Sequence, residues 1–251
     1  MKLFVTSDIH GYFDEFKKAL DEAGFDSTNN NHIVVGLGDY TDRGSQPQQV
    51  INYLMSLPNR ILIKGNHTDL LQDCINRGYP YSHDWHNGTA QTIIDLAPSA
   101  ERFDVACGVA EEKTKDFINS MVDYFETENY IFVHSWIPLI VEDDYPKYYT
   151  RNREYHFNPD WRNATEQEWE QARWGNPFEI AAQGLNQTGK IIVMGHWHCS
   201  TGWAKAEGRT EFGEDAKFEP FYGDGFIAID ACTAHSKKCN VIVLEADFIN
   251  G

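Results

Sequence analysis

Three apolar runs near the N-terminus, "KLFVTS", "HIVVGL" and "RILIK", alternate with stretches of helical period. This alternation limits the folds open to the chain more than any other feature. In "GYFDEFKKALDEAGF", Phe13, Phe16, Leu20 and Ala23 fall near helical spacing, with Gly24 as a stop. In "QPQQVINYLMSL", Pro47 suits a helix start, and Val50, Ile51, Leu54 and Met55 share one side. "TDLLQDCINRG" reads as a third helix ending at Gly78. A β-α-β-α-β rhythm implies parallel pairing, which gathers the functional loops at the carboxyl ends of the strands.

The rest of the chain is less regular to the eye. "FINSMVDYFET" reads as a helix and "NYIFVHS" as a strand. From "DDYPKYYTRNREYHFNPDWRN" to "AAQGLNQTG" the chain is aromatic, charged and loop-rich, as a cap over a site would be. Three more apolar runs come after it: "KIIVMG", "FIAIDAC" and "NVIVLEA". The last two succeed each other so closely that a hairpin-like pairing is expected. One domain over residues 1–251 is expected, with cap-like insertions at roughly 79–128 and 140–188.

Composition narrows the function classes. A hydrophobic content of 41% and a charged content of 24% are ordinary for a globular protein, but a net charge of −17 is not. So acidic a chain is poorly suited to non-specific nucleic-acid binding, which rests on Lys and Arg neutralising phosphates. A bound metal can reverse the sign locally, so a phosphate-bearing substrate stays open. No run has the length of a signal peptide or membrane span, so no membrane association is expected. Cys74, Cys107, Cys199, Cys232 and Cys239 are scattered, odd in number and without a CxxC pair. They read as small buried hydrophobes in a reducing cytoplasm.

The chemistry lies in the residues just after each strand. "VTSDIH" ends in Asp8 and His10, "VVGLGD" in Asp39, "ILIKGNH" in Asn66 and His67, "IFVHS" in His134, and "IIVMGHWH" in His196 and His198. Singly, each is more often a turn residue or a hydrogen-bonded structural histidine. Repeated at five strand ends, they bring together oxygen and imidazole donors suited to Mn, Fe or Zn.

In that order, DxH, GDxxDRG, GNH, a later strand-end His and GHxH resemble the calcineurin-like metallophosphoesterase superfamily. "GDYTDRG" is similar more narrowly to its Ser/Thr protein phosphatase branch, which includes symmetrical dinucleoside-tetraphosphatases. "NGTAQT" resembles the NGG-x-x-T stretch of bacterial members, and "IDAC" their closing strand. The resemblance implies an α/β, four-layer fold: a β-sandwich of mixed sheets flanked by helices, with a helical and loop cap. It implies two divalent metal ions, Mn first and Fe or Zn as alternatives. Asp39 would bridge them, Asp8, His10 and His198 completing one site and Asn66, His134 and His196 the other. Catalysis would proceed by attack of a metal-bridging hydroxide, with His67 as general acid oriented by Asp42 and with Arg43 gripping phosphate.

The sequence departs from that branch in two places. "KGNHT" stands where RGNHE is usual, so Lys64 offers a point charge in place of a bidentate fork. "GHWH" is more typical of the wider superfamily. Arg173 in "QARWGNP" is similar to a further phosphate-contacting arginine, with a packing or ion-pair role equally open. His83 and His86 read as loop or supporting residues, and His32, His156 and His235 as structural. Tyr145, Tyr148, Tyr149, Tyr155, Phe157 and Trp161 either stack a nucleobase or belong to a core. The expected activity is hydrolysis of phosphomonoesters, with a phosphoprotein or nucleotide as substrate. Alternatives are a dinucleoside polyphosphate hydrolase, a nucleic-acid phosphodiesterase disfavoured by the charge, and lastly a non-catalytic metal scaffold, which would need neither His67 nor Asp42. Oligomeric state is not legible in the sequence.

Overall fold

The computed structural model describes residues 1–141 and 155–245. The first third forms β1 (Lys2–Thr6), α1 (Phe13–Glu22), β2 (His32–Gly36), α2 (Pro47–Ser56), β3 (Arg60–Leu62) and α3 (Asn66–Arg77). Then come α4 (Ser82–Asn87), α5 (Thr89–Leu96), α6 (Phe103–Asn119), β4 (Phe125–Glu126), β5 (Tyr130–Phe132), β6 (Ile140–Val141) and β7 (Tyr155–His156). The remainder supplies α7 (Glu166–Arg173), α8 (Pro177–Ala182), β8 (Ile191–Met194), α9 (Cys199–Glu207), β9 (Phe221–Gly223), β10 (Phe226–Ala228), α10 (Thr233–Ser236) and β11 (Val241–Glu245). Among the described residues no helix is long and apolar enough to cross a membrane.

Two mixed sheets organise these elements, in the orders β11-β1-β2-β3 and β4-β5-β8-β10-β9. Strands β1, β2 and β3 run parallel, as do β5, β8 and β10, while β11, β4 and β9 join as antiparallel edges. The strands read as unbroken apolar runs because both faces are buried. In β1, Leu3 and Val5 point into the cluster between the sheets, whereas Phe4 points to the helices on the other side. In β8, Val193 faces the inter-sheet cluster, while Ile192 and Met194 face a second helical layer. Period-two alternation therefore builds three apolar layers and four structural ones, helices–sheet–sheet–helices.

Three expectations need correction. "FIAIDAC" and "NVIVLEA" do not pair with each other: β10 lies between β8 and β9, and β11 closes the other sheet beside β1. Their nearness in sequence misleads because the connection crosses between sheets through α10. The stretch 79–128 is far more helical than it reads, with α4, α5 and α6 in it. The buried stripe of α6 is Ala106, Cys107, Ala110, Thr114, Phe117 and Ile118. Small and polar members dilute its apolar period. Its helical part stops at Asn119, so the C-terminal half of "FINSMVDYFET" is turn and strand. Buried residues of α5 and α6 share a cluster with those of β1 and α1–α3. Four of the five cysteines are buried, and Cys232 is partly so.

Candidate metal centre

The parallel strands of both sheets deliver their polar ends to one place. Asp39 lies just past β2, and its carboxylate is 2% exposed. Its Oδ2 lies 3.7 Å from His10 Nε2, 3.9 Å from His67 Nε2 and 3.5 Å from His134 Nε2. Its Oδ1 accepts the backbone N–H of His67, 3.1 Å away in the first turn of α3. Helix α3 begins two residues earlier than its apolar period suggests, so Asn66 and His67 are helical and their orientation is fixed by the helix start. Gly65 makes this approach feasible: a Cβ there would lie 2.1 Å from Asp39 Oδ1.

Hydrogen bonds to acceptor-only partners set the ring tautomers. His10 Nδ1–H donates to the Thr41 carbonyl at 3.0 Å, and His134 Nδ1–H to the Leu37 carbonyl at 2.7 Å. His67 Nδ1–H donates to Asp42 Oδ2 at 2.7 Å. Each neutral ring is left with a bare Nε2. His134 Nε2 then sits 2.8 Å from Asn66 Oδ1 and 3.5 Å from Asp39 Oδ2, with His196 Nδ1 3.1 Å from the same amide oxygen. Lone pairs that converge this closely call for a cation. Two groups of donors meet the geometry for one: His10, Asp39 and His67, and Asp39, His134 and His196. The oxygen and nitrogen set suits a divalent transition metal, so the residues fit the ions that the sequence resemblance implies.

Electrostatics agree with that fit. Burial, with Arg43 and His67 nearby, pushes His10 well below its ordinary value; burial and His134 push His196 down to about 3. Both rings are neutral at physiological pH, the state that ligates. Burial opposes the Asp39 charge, but the imidazoles of His134, His67 and His10 hold its carboxyl below the usual range. Burial opposes a charge on His67 too, yet Asp39 and Asp42 outweigh it and lift the ring above its ordinary value. The Arg43 guanidinium already supplies one positive group here, with Nη1 2.9 Å from His10 Nε2 and Nη2 3.1 Å from His67 Nε2.

Backbone strain marks the same place. Among the described residues eight non-glycine positions have positive φ, and six of them are Asp8, His10, Asp39, Asp42, Arg43 and His196. Each such position costs on the order of 1 kcal/mol or more and persists only where the surroundings over-determine it.

Other expected site residues lie at the edge or elsewhere. Asp8 is buried; its Oδ2 accepts from the Ser7 hydroxyl and, at 2.9 Å, from the His196 N–H, and its Oδ1 is 3.8 Å from His10 Nε2. His198 joins neither donor group; its Nδ1 is 3.0 Å from the Ser200 hydroxyl and 3.1 Å from that of Thr201. Lys64 Nζ pairs with Glu166 at 3.0 Å. Arg173 has the contacts of an ion-pair and packing residue: Nε and Nη2 engage Asp69 at 2.8 and 3.0 Å, Nη1 engages Asp123 at 2.8 Å, and Nη2 engages Glu166 at 3.1 Å. Its side chain is only 3% exposed. Arg173→Ala is accordingly expected to cost about 3–5 kcal/mol of stability by leaving the partly buried Asp69 without its guanidinium and Asp123 with only Lys64, 4.0 Å away. Urea unfolding of the purified variant checks this, and a loss under about 1 kcal/mol would contradict it.

His83 and His86 lie on α4 and belong to neither donor group, bonded within their own turn. Of the aromatic residues considered for a nucleobase, Tyr155 and Trp161 are buried in a core cluster with Phe157 packed against it, and Tyr145, Tyr148 and Tyr149 lie outside the described residues. Three features escape sequence reading. Trp174 is 41% exposed with its ring 6.4 Å from that of His196. Asp230, after β10, is buried, and burial together with the charge of Asp8 drives its carboxyl well above the ordinary value. Thr89 reaches Asp42 from α5; its place in "NGTAQT" was the available signal.

A sequence model described as calcineurin-like phosphoesterase matches residues 1–200. Symmetrical bis(5'-nucleosyl)-tetraphosphatases from Buchnera aphidicola subspecies Acyrthosiphon pisum and Schizaphis graminum are 34% and 40% identical over 68 residues, 27% of this chain. The match spans about a quarter, 24%, of those curated relatives. A cold-active protein-tyrosine phosphatase from a psychrophilic Shewanella superposes with a TM-score of 0.56 at 15% identity, covering 97% of this chain and 75% of its own. A protein serine/threonine phosphatase from Saccharomyces cerevisiae gives 0.52 at 13%, covering 99% and 81%. At such identities the two structures establish a shared fold.

Proposed function

The chain belongs to the calcineurin-like phosphoesterase family, and on that premise we propose that it is a phosphoester hydrolase dependent on two divalent metal ions. Asp8, His10, Asp39, Asn66, His134, His196 and His198 would hold them, His198 through Nε2 because its Nδ1 faces two hydroxyls. The observation that carries the reading is Asp39, the residue common to both donor groups. Bound there, the ions supply Lewis-acid polarisation of phosphoryl oxygens and a nucleophile at neutral pH. Mn is the leading candidate, with Fe or Zn as alternatives.

The chain's own residues supply the rest. Arg43, exposed at the mouth of the site, exchanges its contacts with His10 and His67 for phosphate oxygens, which its fork of donors matches. That exchange frees His67 Nε2 to carry a proton to the leaving oxygen, while Asp42 keeps the ring turned toward it. Lys64 adds a positive charge at the rim once a phosphate competes with Glu166. A phosphomonoester, such as a phosphoserine or phosphothreonine side chain, is the substrate class this layout favours. A dinucleoside polyphosphate is the second reading, supported by Trp174 beside His196 as a stacking surface and by the activity named for the Buchnera relatives.

The deciding experiment strips the protein with chelator, restores Mn²⁺, and compares a phosphoserine/phosphothreonine peptide with diadenosine tetraphosphate. Chelation is expected to abolish hydrolysis and Mn²⁺ to restore it, with the peptide preferred. Preference for the dinucleotide moves the protein to the second reading. No metal-dependent hydrolysis of either compound overturns both.

A further inference from the structure

We propose that Thr89 is a positioning residue for proton donation by His67, acting through Asp42; the inference rests on His67 being the proton donor described above. Asp42 is fully buried, and a single oxygen carries its side-chain bonding. Oδ2 accepts the His67 Nδ1–H at 2.7 Å and the Thr89 hydroxyl at 2.6 Å. Oδ1 is buried with no hydrogen-bond partner among the described residues. A carboxylate held through one oxygen is free to pivot about its Cβ–Cγ bond unless a second donor fixes that oxygen, and Thr89 is that donor. An ionised carboxylate only accepts, so the hydroxyl proton points from Thr89 to Asp42.

The surroundings of Thr89 serve the same end. Asp42 and Arg43 are successive non-glycine residues at φ 71° and 65°, a strained pair that needs external support. The turn between α4 and α5 provides it. The Asp42 N–H donates to the Thr92 hydroxyl at 2.9 Å. Gly88 lies against the Arg43 backbone so closely that a Cβ would stand 2.3 Å from its nitrogen. Gly88, Thr89 and Thr92 thus hold the Asp42 loop by packing, by a side-chain bond and by a main-chain bond, and Thr89 is the one that touches the carboxylate.

In hydrolysis the oxygen of water bonds to phosphorus and the ester P–O electron pair leaves with the alcohol oxygen. That oxygen takes the His67 Nε2 proton, and the proton released by the water replaces it on the ring. An alkoxide needs the proton; p-nitrophenolate, a stable anion, does not. Thr89→Val removes the donor at nearly constant shape and is expected to slow kcat for a phosphoserine peptide about tenfold or more, within the 10²–10⁴ reach of a general acid. For p-nitrophenyl phosphate the slowing should stay under about threefold, with KM little changed for both, and Thr89→Ser should restore the peptide rate.

His67→Asn is the companion control. If it slows both esters equally, the reading of His67 as proton donor fails and Thr89 falls with it. If it slows the peptide selectively while Thr89→Val slows both alike, only the Thr89 proposal is overturned. Thr89→Ala, which opens a small void without placing a second methyl against Asp42, is measured alongside in case the valine variant does not fold. A readout free of substrate is the His67 Nδ1 proton resonance in the metal-free protein. It should lie downfield in the parent and in Thr89→Ser and move upfield or vanish in Thr89→Val and Thr89→Ala. An unmoved resonance in both overturns the proposal whatever the kinetics.

Discussion

Asp39→Ala is expected to lose both the second equivalent of bound metal and more than about 10³-fold of phosphoesterase activity, beyond the 10²–10³ that removal of one electrostatic donor costs. The reason is that this carboxylate serves two groups of donors at once. His134 and His196 converge on it from the second sheet, and His10 and His67 from the first. Without it, Asp8, the amide oxygen of Asn66 and the imidazoles remain, but the carboxylate that ties the two halves of the site together is gone. Asp39→Asn separates charge from shape, since an amide oxygen still accepts the His67 N–H now bound at 3.1 Å. It is expected to fold like the parent yet fail like Asp39→Ala. Metal content after Mn²⁺ loading and gel filtration, read with kcat on the same sample, checks both outcomes. Two retained equivalents with near-parental turnover in Asp39→Ala would remove the basis for the dinuclear reading.

The framework of this site was legible because strand identity and strand ending lie within a few residues of each other. Val34 and Val35 announce β2, and Asp39 comes at once after it; the same holds for Phe4 with Asp8, and for Val193 with His196. Local pattern does not encode which sheet a strand joins. "FIAIDAC" and "NVIVLEA" therefore looked like partners, although one ends beside β8 and the other beside β1. Nor does pattern reveal what a long side chain meets across the fold. Arg173 and Lys64 are cations in suggestive places, and only the folded chain shows Asp69, Asp123 and Glu166 around them. Helix α6 is hard to see in the sequence because its buried face is built largely from alanine, cysteine and threonine, whose small side chains give the helical period little contrast. Thr89 lay in a stretch whose resemblance was plain and whose purpose was not, because its partner Asp42 is 47 positions away.

The second large effect belongs to His67. His67→Asn is expected to lower kcat for an alkyl phosphomonoester by about 10²–10⁴, with metal content unchanged and KM little affected. The neutral imidazole is held at both ends, by Asp42 at Nδ1 and by Arg43 at Nε2; once Arg43 turns to phosphate, the Asp42 bond alone keeps the protonated ring in plane. Burial alone would strip its proton near neutral pH, but the carboxylates of Asp39 and Asp42 outweigh burial and keep the charged ring favourable above the ordinary 6.5. A general acid works only while protonated, so the rate falls as pH rises through this raised value. The alkaline limb of the kcat profile therefore reports the loss of this proton, which the charge of Asp42 opposes. Asp42→Asn removes one of the two supporting charges while keeping an oxygen that accepts from His67 Nδ1, so that limb should move toward lower pH. A kcat–pH profile of the parent and Asp42→Asn, taken with a phosphoserine peptide under saturating Mn²⁺, measures the shift. A limb unmoved by Asp42→Asn would mean that the group titrating there is not His67, and the proton would have to come from elsewhere in the site.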